Sequence, residues 1–290
     1  MKTQMEHTNL PDRNWEKVEK LNSKLSVAWN QSKDAIWTKM EPQLQERRSR
    51  GRLLAMKRTV FRWAAAAVIL VFLGVTAFMR FYTEWSLVPD GEHRLVELPD
   101  HSKVHLNAGS AIGYHPYWWR FSREVQFEGE AYFEVVKGSR FQVESASGTT
   151  TVLGTSFNIY ARDKAYRVTC LTGKVQVANA DESAKVILRP NEKAELTGNE
   201  FRKVKVEASQ DVAWVGNRFV FTDRPLSEVF EEIERQYDVL IDLPEVFSFS
   251  YSGNFDKSAD IKQVLTYVCR PFNLNFTEEK AGVFRIKKTN

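Results

Sequence analysis

The spacing of apolar residues changes three times along this chain. Residues 1–11 carry no pattern and are expected to be disordered. From Asp12 onward Trp15, Val18, Leu21, Leu25, Ala28 and Trp29 recur at steps of three and four, which predicts a helix. Ser32 is placed to cap a second helix carrying Ile36, Trp37 and Met40, and Pro42 is expected to end or kink it. Residues 43–62 read as a polar, basic stalk. The stretch from Trp63 to Met79 then has no charge and Thr76 as its one strongly polar residue, closed by Arg62 and Arg80. At ~1.5 Å per residue it is about 26 Å long as a helix, just under the hydrocarbon thickness of a bilayer. With Phe81 and Tyr82 extending it, it predicts a transmembrane helix at 63–82, apolar all round as a core helix seldom is. A cleaved signal peptide would lie nearer the N-terminus.

After an exit linker at 83–94 the period becomes two. Val104, Leu106 and Ala108 alternate with polar residues, as do Val125 and Phe127, Ala131, Phe133 and Val135, Phe141 and Val143, Phe157, Ile159 and Ala161, and Val175 and Val177. Glycine, Asn, Asp and Ser separate the runs. This predicts an all-β domain at 95–197, sandwich or solenoid-like. A connection follows at 198–216. Then Phe219 and Phe221 predict a strand, Asp223 a helix cap, and Leu226, Val229, Phe230, Ile233 and Tyr237 an amphipathic helix with Pro225 in its first turn. A second helix carries Ile261, Val264, Leu265 and Val268. The order is β-α-β-β-α-β with one more strand, an α+β domain at 217–288 whose halves loosely repeat each other and each pack one helix on a small sheet. The expected fold class is therefore multi-domain: a short helical segment, one span, an all-β domain and an α+β domain.

Charge orients the span. Residues 1–62 hold 14 Lys/Arg and 7 Asp/Glu, a net +7; the remaining 27 Lys/Arg and 30 Asp/Glu give −3. Arg47, Arg48, Arg50, Arg52, Lys57, Arg58 and Arg62 lie on one side of the span and Arg80 alone on the other. Positive charge stays in the cytoplasm, so residues 1–62 are expected inside and 83–290 outside. No DNA-binding pattern accompanies the basic run. Trp15, Trp29, Ile36 and Trp37 form an apolar face too small to make its own core. It either docks on a partner or lies on the membrane surface.

Catalytic patterns are scarce. No nucleophile elbow surrounds a serine, and no phosphate loop or HExxH occurs. His101 and His105 lack a third ligand at metal spacing, and no cofactor or metal is expected. Cys170 and Cys269 are either a disulfide or two buried thiols. The run Tyr114-His-Pro-Tyr117-Trp118-Trp119 either packs over a sheet edge or stacks on a sugar or a partner. Gly154-Thr155, between two apolar runs, reads as a strand break. A twisted bond there would also admit attack by the Thr155 hydroxyl on the preceding carbonyl.

Several segments, in order, resemble one family. Leu98-Pro-Asp-His-Ser-Lys-Val-His-Leu-Asn-Ala-Gly-Ser110 is similar to the FecR-type "LPDGSxVxLNAxS", with His101 in place of Gly. Gly129-Glu-Ala-Tyr-Phe-Glu-Val135, Val152-Leu-Gly-Thr-Ser-Phe-Asn158 and Leu171-Thr-Gly-Lys-Val175 resemble "GEAYFEV", "VLGTxFN" and "LxGxV". Phe221-Thr-Asp-Arg-Pro-Leu226 and Glu234-Arg-Gln-Tyr237 resemble the small domain, similar to the secretin and TonB-receptor short N-terminal (STN) domain, that follows FecR regions. The cytoplasmic part matches loosely around Trp29 and Ile36-Trp37 and is short for the family. The resemblance implies an inner-membrane anti-sigma factor and transducer. Such a protein binds an extracytoplasmic-function sigma factor inside and receives a signal from a TonB-dependent outer-membrane receptor outside. It is not an enzyme, apart from single-turnover self-cleavage at Gly154-Thr155 in some members. The other readings are a membrane-anchored periplasmic binding or scaffold protein with no sigma partner, and an anchored envelope hydrolase.

Overall fold

The computed structural model describes residues 15–24, 30–163, 165–243 and 247–289. Its contacts divide the chain into two units, 1–72 and 73–290. The first holds α1 (Trp15–Asn22) and most of α2 (Lys33–Phe81). Ser32 caps α2 as the sequence predicts, its hydroxyl accepting from the Ala35 N–H at 3.3 Å. Pro42 does not end the helix. It withdraws one donor, the one owed to the Thr38 carbonyl, on an exposed surface where water can replace it. The basic stretch and the apolar segment are thus one helix of 49 residues. Arg58–Phe81 is long and apolar enough to cross a membrane, with mean hydropathy 2.1 and none of it buried.

The second unit begins with a β-rich region. The expected exit linker contains a strand, β1 (Glu84–Val88), paired antiparallel with β4 (Ser110–Tyr114). β2 (Arg94–Glu97) and β3 (Lys103–Leu106) form a hairpin between them. The long β5 (Arg123–Glu134) joins the two halves of this region. Its first half pairs with β4 and with β6 (Phe141–Ser145), its second half with β3 and with β8 (Ser156–Arg162). The crossover falls at Gly129, φ +110°, where a Cβ would overlap Ser110. From β6 the pairing runs through β7 (Gly148–Val152) and β10 (Val175–Asn179) to β11 (Lys185–Leu188). From β8 it runs through β9 (Ala165–Cys170) and β12 (Glu192–Thr197) to β13 (Glu200–Lys205). The two halves enclose one core. Phe127 and Phe141 from one half meet Phe133 and Phe157 from the other, the last two stacked at 5.0 Å.

The region extends beyond 95–197 at both ends, because β1 and β13 are edge strands. Trp85 and Leu87 face outward and β13 is mostly exposed, so neither strand shows half-buried alternation.

A 3-10 turn (Gln210–Gly216) leads to β14 (Arg218–Pro225), α3 (Leu226–Tyr237), β15 (Leu240–Asp242), β16 (Ser250–Asp256), α4 (Ile261–Cys269), β17 (Leu274–Lys280) and β18 (Val283–Lys288). The order is the predicted one; the pairing is not. β14 pairs with β16, and β15 pairs in parallel with β18, which also pairs with β17. Both sheets therefore combine strands of the two halves rather than each half forming its own small sheet. Asp223 does not cap α3. It sits in the β14 bulge at φ +49°, and Pro225 takes the cap position. Asp260 caps α4, accepting from the Lys262 N–H at 3.0 Å. Leu226, Val229, Phe230 and Ile233 join Val264, Leu265 and Val268 in a second core.

Candidate functional site

Three places are candidates for a functional role. The first is the Gly154-Thr155 link in the β7–β8 turn. Gly154 has φ +149°, and a Cβ there would lie 2.5 Å from Lys137 Cα, so no other residue fits without strain. The link is stitched to 135–138 on both sides: the Gly138 N–H donates to Leu153 O at 2.8 Å and the Val135 N–H to Thr155 O at 2.9 Å. The Ser156 N–H donates to the Thr172 hydroxyl at 2.9 Å. Gly173 closes over the turn, where a Cβ would stand 2.6 Å from Thr155 Cγ2 and 3.3 Å from Gly154 O. Thr155 is buried and its hydroxyl has no hydrogen-bond partner among the described residues. Leaving such a group unpaired costs about 1–3 kcal/mol.

The second is a helix face. Trp37, Met40 and Leu44 lie at i, i+3 and i+7 on α2 and are exposed at 62%, 47% and 45%. Ile36 is half-buried, Trp15 opens α1, and Trp29 lies outside the described residues. Trp37 thus stands on an exposed stripe with no apolar cover among the described residues of its unit.

The third, which the residue pattern alone does not reveal, is a buried polar junction between the β region and the α+β region. Glu130 on β5 accepts from Asn158 Nδ2 and from Asn107 Nδ2, both at 2.9 Å. From α3, Gln236 Nε2 donates to Asn107 Oδ1 at 2.6 Å and to Glu232 Oε1 at 2.8 Å. Arg235 donates to Glu232 Oε2, and His93 Nε2 meets Gln236 Oε1 at 2.9 Å. Arg162 donates to the carbonyls of Ala108 and Gly109 beside them. Burial, then the charge of Glu232, pushes the Glu130 carboxyl above its ordinary range. Burial also holds the His93 imidazole below its own. A cavity of about 80 Å³ opens beside the cluster, lined by Glu130, Tyr160, Arg167, Glu232 and Arg235 among others. Glu130 and Asn107 do stand in the quoted motifs. Nothing in alternation reveals, however, that both point at one helix more than a hundred residues away.

The remaining candidates separate. Tyr114 and Trp119 pack in the core while Tyr117 and Phe121 face outward. His101 lies in the turn before β3 at φ +65°, the backbone a glycine would favour, with Nδ1 2.7 Å from Glu97. His105 on β3 faces Glu134 at 3.8 Å. Cys170 and Cys269 are free buried thiols in different cores, pushed up to about 11 and about 12 by burial.

Comparison with known proteins agrees with this layout. A family profile described as FecR protein matches residues 87–176, and one described as FecR, C-terminal matches 218–284. Two crystal structures of a candidate anti-sigma factor from Parabacteroides distasonis ATCC 8503 superpose with a TM-score of 0.67 and 31% identity. They cover 72% and 71% of this chain and all of their own. No curated protein matches. The two profiles fall on the β region and the α+β region in order, and the solved relative is matched over its whole length; the chain belongs to the FecR family of anti-sigma factors.

Proposed function

We propose that this protein is a single-pass inner-membrane anti-sigma factor and transducer. Residues 1–62 lie in the cytoplasm and bind an extracytoplasmic-function sigma factor; residues 83–290 lie in the periplasm. The STN-like α+β region receives the signal of a TonB-dependent receptor. The observation that carries the reading is the exposed Trp37–Met40–Leu44 stripe on a helix that continues into an apolar segment of spanning length. A large indole left in water on a charged helix has use as a partner anchor. The basic excess before the segment supports the orientation.

Signal passage through a single helix needs two states with different partners, or an irreversible step. Self-cleavage at Gly154-Thr155 supplies the latter. The Thr155 Oγ attacks the Gly154 carbonyl carbon, the C–N bond breaks and the hydroxyl proton passes to the Thr155 nitrogen. Water then hydrolyses the ester to a Gly154 carboxylate and a free Thr155 hydroxyl. The unpartnered Thr155 hydroxyl beside a glycine-only backbone supports this step.

The test is affinity purification of the tagged full-length chain from its native host in mild detergent. Recovery of a sigma factor, lost on Trp37→Ala, supports the reading. A clean preparation with no sigma factor supports the anchored scaffold instead.

A further inference from the structure

We propose that the loop 115–122 is a lipid-binding anchor, seating Tyr117, Trp118 and Phe121 in the interfacial layer of the leaflet where the helix leaves the bilayer. This rests on Arg58–Phe81 spanning the membrane and adds a second attachment to it.

Geometry carries the proposal. Phe78 lies inside the apolar segment, three residues before its end. Its ring is 5.8 Å from that of Tyr117 and 5.3 Å from that of Tyr82, and Tyr82 and Tyr117 are 5.5 Å apart. Three residues of helix rise about 4.5 Å. The headgroup layer on each side of the hydrocarbon is roughly 5–7 Å deep. A ring touching Phe78 therefore stays within that layer at any ordinary tilt. The loop is also fixed to the helix end rather than tethered to it. His115 Nδ1 lies 2.9 Å from Tyr82 O and 3.2 Å from the Thr83 hydroxyl.

The chemistry fits a lipid interface. Tyr117 and Phe121 are 52% and 68% exposed, and the Trp118 ring packs at a tilt against that of Phe121, centroids 4.6 Å apart. Aromatic rings with one polar end favour the headgroup boundary. The Arg80 guanidinium lies over the Trp118 ring at 6.0 Å, and Arg120 is exposed; neither is opposed by an acidic residue within 115–122. These cations suit phosphate headgroups. Neighbouring β1 presents Trp85 and Leu87, 51% and 65% exposed. The same loop sends Trp119 into the β core, so the lipid-facing rings are rigidly joined to the domain.

The experiment uses full-length protein reconstituted in vesicles of phosphatidylethanolamine and phosphatidylglycerol. Spin labels are placed singly at Phe121→Cys, Tyr117→Cys, Val71→Cys and Ile187→Cys, with unsubstituted protein reporting background from Cys170 and Cys269. The last site lies on β11, at the far end of the strand order from β1. Relaxation by oxygen against a water-soluble nickel chelate reports depth. The expected result is an oxygen-to-nickel ratio several-fold higher at 117, 121 and 71 than at 187. Water-like ratios at 117 and 121 with a lipid-like ratio at 71 overturn the anchor and leave the span intact. A water-like ratio at 71 overturns the span and the anchor with it.

Discussion

Gln236 in α3 donates to Asn107 at 2.6 Å across 129 residues of sequence, and both side chains are buried. Asn107 belongs to the β region and Gln236 to the α+β region, so this bond and its neighbours join the two. Each amide has further partners: the Ala108 N–H and Glu130 for Asn107, Glu232 and His93 for Gln236. Gln236→Ala and Asn107→Ala are each expected to cost about 1–3 kcal/mol, and the double variant less than the sum. Thermal unfolding of the solubilised protein measures this. Additive losses would mean the two residues act separately.

Glu130 makes the same junction sensitive to pH. Its folded carboxyl binds its proton more tightly than a free glutamate, which titrates near ~4.3. Stability is therefore lost as pH rises from about 4.3 through the folded value, and recovered on acidification. Glu130→Gln keeps the shape and removes the charge. Asn158 can turn to accept its amide, because Asn158 Oδ1 is buried and has no partner among the described residues. The variant is expected to melt above the wild type at neutral pH, the gap closing as pH falls. His93, held below its ordinary value, pulls the other way below ~6.5 in both proteins, so the difference between them reports Glu130. A gap independent of pH would refute the assignment.

At the β7–β8 turn, Thr155→Ala removes a buried hydroxyl that bonds to nothing described together with a buried methyl, and folding should survive at a cost of about 1 kcal/mol. If the link cleaves itself, this variant stays a single band on a denaturing gel while Thr155→Ser still yields two. Gly154→Ala is expected to cost about 1–3 kcal/mol through its backbone angle alone, before the clash with Lys137. Equal fragment yields from wild type and Thr155→Ala would dispose of the mechanism.

His101 holds a left-handed backbone with its side chain in water, tied to Glu97. His101→Gly should relieve that backbone at the loss of an exposed contact worth little, raising stability by up to about 1 kcal/mol. A lowered melting temperature would show that the Glu97 contact outweighs the turn.

Trp37→Ala should weaken sigma-factor recovery by roughly 30-fold, the effect of about 2 kcal/mol at an interface anchor, with the melting temperature unchanged. Undiminished recovery would move the partner site off this stripe.

Much of the fold was legible because burial writes itself into spacing. Val104, Phe133 and Phe157 alternate with polar residues because one side of each strand is core, and Leu226–Val229–Phe230–Ile233 recur because one side of α3 is. Where no burial contrast exists, spacing carries no signal. Trp85 and Leu87 lie on an outward-facing edge, and β13 has hardly any inward side. Pro42 does not end its helix because a single lost bond does not break a long exposed helix. Partners across the junction were invisible for another reason. Glu130, Asn107, Glu232 and Gln236 are polar residues whose spacing is set by each other rather than by a period.

The pairing of β15 with β18 fixes a timetable. Leu240 lies opposite Val283, and β18 stands between β15 and β17 in its sheet. The strand that holds this sheet together is thus the last of the described strands to be synthesised. As the chain is made, β15 lacks its partner strand until the ribosome has passed β18. α3, which carries the α+β side of the junction, can rest earlier on the β14–β16 pair, so what closes last is the β15–β18–β17 sheet. A nascent chain stalled short of that strand would present the α+β region with one of its two sheets unclosed, open to proteases.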